Sequence, residues 1–61
     1  MVTFIYLNEK PTEVHRIIKN VKHTQIFSDF GEFLVDFIDE ANGLRTQVTF
    51  PLSKYHFADW E

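Results

Sequence analysis

Polar and apolar residues alternate most clearly near the end of the chain. From Leu44 to Phe50, Leu44, Thr46, Val48 and Phe50 interleave with Arg45, Gln47 and Thr49, the period of two that marks a half-buried strand. The Asn42-Gly43 pair just before it is the strongest two-residue hairpin signal a sequence can carry. Upstream, residues 30–41 fit two patterns. Phe30, Phe33, Leu34, Phe37, Ile38 and Ala41 fall at helical spacing, Asp29 with Glu32 resembles a capping box, and Gly43 is placed to stop a helix. A type I′ turn at Asn42-Gly43 instead sets Phe37 opposite Val48, Val35 opposite Phe50 and Phe33 opposite Leu52. It also sets Glu40 opposite Arg45 and Asp36 opposite Thr49, and leaves Asp39 opposite Thr46 as the one polar pair on the apolar face. The hairpin accounts for two segments, a turn and a charge pair with one register, so strands are expected here. Leu34 and Ile38 then occupy the second face, which needs partial cover.

The remaining segments follow the same period. Residues 2–8 alternate Phe4 and Tyr6 with Ile5 and Leu7, and Glu9, Lys10 and Pro11 make a turn. Val14, Ile17, Ile18 and Val21 have helical spacing and Pro11 suits a helix start, yet no apolar stripe continues past Lys22. Two short strands turning at Lys19-Asn20 are the preferred reading. Pro51 interrupts a strand run and belongs at an edge, bulge or bend. Residues 54–60 give a last strand, with Tyr55 and Phe57 on one face and His56, Ala58 and Trp60 on the other. The expectation is one all-β domain over residues 1–61, a meander of about five or six short antiparallel strands curled into a sheet or small barrel. The alternative is an α+β chain with a helix in residues 12–22 or 29–41.

The pieces NVKHTQ (20–25), EFLVDFIDEANG (32–43) and VTFPLSKYHFADWE (48–61) together resemble the layout of short, mostly uncharacterised all-β proteins of Gram-positive bacteria and their phages. The resemblance implies a β fold and an origin on a phage or mobile element. It transfers no activity and no site residues.

Size sharpens the picture. A chain of 61 residues buries only about 60% of the surface its unfolded form exposes, and small domains compensate with disulfides, metal sites or self-association. Cys 0 closes the disulfide and thiolate routes. Aromatic residues, 16% of the chain, supply large apolar area, so a homodimer is the expected remedy. Residues 1–28 hold four basic side chains against two acidic ones, whereas residues 29–61 hold two basic against seven acidic, so the halves attract one another within or between copies. The opening MVTFIYLNEK has no apolar run fit for a signal peptide, and no stretch approaches the roughly 20 apolar residues of a membrane span. A soluble cytoplasmic protein is expected.

Candidate chemistry is sparse. His15, His23 and His56 are too far apart in sequence to form a local ligand set, so no metal or other cofactor is expected. Glu32, Asp36 and Glu40 share a strand face, but no nucleophile and base accompany them and they read as a solvated acidic surface, not an enzyme site. The acid of residues 29–40 also suits imitation of a nucleic-acid backbone. Arg16, Lys19 and Lys22 form a basic run that motivates an alternative reading as a nucleic-acid or transcription-associated binder, against a sequence pI near 5.5. The most suggestive feature is the aromatic set Tyr55, Phe57 and Trp60. Such residues anchor protein interfaces, with Phe57 closer to a core role and Trp60 closer to an interface role. The function expected is a non-enzymatic protein-binding module, partnered by itself and then by a host factor.

Overall fold

The computed structural model describes residues 1–61 and contains six β-strands and no helix: β1 (Val2–Leu7), β2 (Lys10–Ile18), β3 (Val21–Phe27), β4 (Glu32–Ile38), β5 (Arg45–Pro51) and β6 (Tyr55–Trp60). All pairings are antiparallel, and they form two three-stranded sheets, β2-β1-β6 and the meander β3-β4-β5. The helical alternative fails in both places. Residues 12–22 become β2, a bend and the start of β3: Asn20 takes φ 57°, a left-handed conformation that asparagine tolerates well, and the chain does not turn back at Lys19-Asn20 as expected but passes from one sheet to the other, Val21 N donating to Met1 O at 2.9 Å. Residues 29–41 become a turn and β4, whose Phe33 and Val35 alternate into the core.

The β4–β5 hairpin forms, but in a different register from the one the Asn42-Gly43 turn predicts. Phe33 pairs with Phe50, Val35 with Val48, Phe37 with Thr46 and Ile38 with Arg45. Phe37 does not meet Val48, and Glu40 does not face Arg45. The cause lies in the connection, a wider loop over residues 39–44 in place of a two-residue turn. Asp39 Oδ1 accepts from Ala41 N and Asn42 Oδ1 accepts from Leu44 N, each at 2.9 Å. Asp39 N donates to Leu44 O at 2.9 Å, Gly43 N donates to Asp39 O at 2.7 Å, and Gly43 takes φ 69°. Asp and Asn side chains that capture backbone donors two residues ahead compete with a tight turn, and here they win. The slip is of two residues, so every side chain keeps its face and the apolar pattern survives.

The two sheets enclose a core of Ile5, Ile18, Val21, Phe33, Val35 and Phe50, with Phe37, Val48, Leu52, Tyr55 and Phe57 packed against it. Phe33 lies at the centre, its ring 5.2 Å from Phe50 and 4.6 Å from Phe57. A polar clamp supplements these contacts. The fully buried Thr3 donates its hydroxyl to Asp59 Oδ1 at 2.6 Å, and Thr24 on the opposite sheet donates to Asp59 Oδ2 at 2.8 Å. One carboxylate thereby joins β1, β6 and β3. Pro51 ends the edge strand β5, where its missing N–H interrupts no ladder. Leu34 and Ile38, on the second face of β4, are half-buried beside the buried Asp36.

Candidate interaction surface

The alternation of β1 sends Thr3 and Ile5 into the core and Val2, Phe4 and Tyr6 to the outside. Ladder partners share a face, so the register extends this outer row across the sheet. Phe4 stands between Ile17 and Ala58, Tyr6 between Val14 and His56, and Val2 beside Trp60. The result is an apolar sheet face with nothing packed on it. Trp60 is 61% exposed, Ile17 52% and Val14 43%. Phe4, Tyr6, Val14 and Trp60, with Val2, line a shallow depression of about 370 Å³.

Side-chain geometry makes this face ordered. Phe4 and Trp60 meet edge to face at 6.1 Å, and Tyr6 stacks on His56 at 5.1 Å. Asn8 Nδ2 donates to Leu52 O at 3.0 Å, which turns Asn8 Oδ1 toward His56; the ring's Nδ1–H donates to it at 2.8 Å. Offset and edge-on aromatic contacts of this kind fix ring positions before any partner arrives.

The three aromatic residues singled out in the last strand are divided between the two faces. Tyr55 meets the Phe50 ring edge-on at 5.5 Å and Phe57 tilts against Phe33, so both face the inter-sheet core and are half-buried. Trp60 alone of the three faces outward. Two members of the basic run stay together and the third is apart. Arg16 pairs with Ile5 across the ladder and holds its guanidinium 5.9 Å from the Phe50 ring. Arg16 and Lys19 line one open cleft of about 350 Å³ with Asp39 and Glu40, whose carboxyls oppose their charge. Lys22 falls on β3 at a register shift. The histidines are separated as well: His15 lies against Tyr55, His56 against Tyr6, and His23 beside Gln25.

Val2, Phe4, Tyr6, Val14 and Ile17 belong to the exposed face but were not singled out by sequence reasoning. Their signal was present: β1 is apolar on both sides, and a two-layer chain has cover for only one of them. Comparison with known proteins gives no matching family model, no matching curated protein and no matching solved structure.

Proposed function

We propose that this domain is a non-enzymatic protein-binding module whose first partner is a second copy of itself, held through the outer face of the β2-β1-β6 sheet. One observation carries the reading: Trp60, Ile17 and Val14 stand exposed around Phe4 and Tyr6 on a continuous apolar face. Contiguous apolar surface on a small soluble domain marks an interaction site. The small core supports the same conclusion, since only 8 of 61 residues are buried and further burial must come from association. A host factor as second partner, a cytoplasmic setting and a phage or mobile-element origin complete the proposal. The basic run adds less, because Arg16 and Lys19 share their cleft with Asp39 and Glu40.

Sedimentation of the 7.3 kDa chain across a concentration series tests this: mass should rise toward twice the monomer value, and the thermal midpoint should climb with concentration. Trp60→Ala should weaken association by about 2 kcal/mol or more. A wild-type chain that stays monomeric at millimolar concentration overturns the reading.

A further inference from the structure

The cleft beside the passage from β2 to β3 carries charges of both signs that do not pair with one another. Arg16 and Lys19 line one wall, Asp39 and Glu40 the other, and Ile18 and Phe37 add apolar lining. The ion pairs of the fold lie elsewhere, Lys10 with Glu13 and Arg45 with Asp36. We infer that this cleft binds a small zwitterion with an apolar body, the chemistry of a free α-amino acid with an apolar side chain.

Local contacts hold the charges where they are. Arg16 keeps its guanidinium 5.9 Å from the Phe50 ring centre, and an aromatic face steadies a side chain that is otherwise flexible. Asp39 Oδ1 accepts from Ala41 N at 2.9 Å, and the loop backbone fixes the same residue through Asp39 N to Leu44 O and Gly43 N to Asp39 O. Glu40 Oε1 accepts from Asn20 Nδ2 at 3.2 Å, and Ile38 N donates to Asn20 O at 3.1 Å, so Asn20 ties the two walls together. Each carboxylate keeps a second oxygen, Asp39 Oδ2 and Glu40 Oε2, that neither of these bonds engages.

The four charges sum to zero, and that balance selects the ligand. A simple anion drawn to Arg16 and Lys19 is repelled by Asp39 and Glu40, and a simple cation meets the reverse. An uncharged apolar molecule displaces water from all four charges and returns nothing. A carboxylate and an ammonium on one small molecule satisfy both sets. Arg16 offers the carboxylate a planar fork and Lys19 a point charge, while the spare oxygens of Asp39 and Glu40 accept from the ammonium. The buried Ile18 and half-buried Phe37 meet its apolar side chain. A volume of about 350 Å³ lies at the small end of ligand sites. Ion pairs this open to solvent contribute little each, so the complex dissociates at roughly millimolar concentration and more readily as salt is added.

The test follows backbone amide shifts of the isotope-labelled chain, at fixed protein concentration, during titration with leucine. Parallel titrations use N-acetylleucine, which lacks the ammonium, leucinamide, which lacks the carboxylate, and glycine, which lacks the apolar side chain. Leucine should shift the amides of residues 16–19 and 37–40 saturably, and each analogue should bind about tenfold more weakly. Lys19→Gln should weaken leucine but not leucinamide, and Glu40→Gln should weaken leucine but not N-acetylleucine, a crossed pattern that a general loss of structure does not produce. Wild-type shifts that never saturate, analogues that match leucine, or variants that lose all ligands alike would overturn the site. Saturable shifts confined to Phe4, Tyr6 and Trp60 would place leucine on the outer sheet face and overturn it equally. None of these results bears on self-association, which the sedimentation series decides.

Discussion

Arg45 grips the buried carboxylate of Asp36 through two nitrogens: Nε lies 3.0 Å from each oxygen, and Nη2 lies 2.6 Å from Oδ2. The register of the β4–β5 hairpin makes this possible, since pairing Arg45 with Ile38 places Asp36 on the adjacent diagonal. Hydrogen bonding from Arg45 holds the Asp36 carboxyl below its ordinary value of 3.8; burial opposes this, and the charges of Arg45 and His23 add to it. The same hydrogen bonds raise Arg45. A carboxyl lowered in the native state contributes stability above its unfolded value and loses it as the pH falls through the native one. Arg45→Gln should therefore be less stable than the wild type at pH 7, with the gap narrowing as the pH drops below about 4. Urea titrations at several pH values measure it; a gap of constant size would contradict the assigned role.

The Asp59 clamp predicts non-additive energetics. Asp59→Ala leaves the buried Thr3 hydroxyl without its acceptor, at a cost of about 1–3 kcal/mol. Thr3→Val removes the stranded donor, so the double variant should be less destabilised than the two single costs added together. Denaturant melts of all four chains decide this, and strict additivity would show that the carboxylate and the hydroxyl act independently.

Phe33 and Phe30 share a side chain but not an environment. Phe33 is fully buried and Phe30 is 77% exposed. Phe33→Ala should cost about 3–5 kcal/mol, enough to unfold a domain of this size, while Phe30→Ala should stay within about 0.5 kcal/mol. Amide chemical-shift dispersion distinguishes the outcomes at once: collapsed dispersion is expected only for the Phe33 variant.

Gly43 tests the loop that sets the register. At φ 69° with no atom within 4 Å of an added Cβ, its substitution meets no clash and costs only backbone conformational energy. Gly43→Ala should lower stability by about 1 kcal/mol and Gly43→Asn by less. Equal melting for all three chains would mean that the left-handed conformation is not held in solution.

The sequence was most legible where side chains alternate. Leu44 to Phe50 and Val2 to Leu7 announce strands because the pleat and the solvent impose the same period on them. Helical spacing in Phe30 to Ala41 misleads because a strand with residues on both faces and a helix with one broad stripe place apolar residues alike. The register escaped because turn propensity at Asn42-Gly43 is a local preference, whereas Asp39 and Asn42 bind backbone groups that exist only once the wider loop has closed. The outer face escaped for a different reason. Nothing in Val2, Phe4 and Tyr6 says which side of β1 another layer covers; that depends on β4 packing Phe33 against Phe57.

The pairing of β1 with β6 also bears on how the chain reaches its native state. Val2 lies opposite Trp60, so this ladder joins residues separated by nearly the whole polypeptide, whereas β3, β4 and β5 are linked by short connections. Closing the longer loop is entropically dearer and comes after the meander has condensed. Folding is therefore a late-locking process, and the pairing of β6 with β1 is the step that completes it.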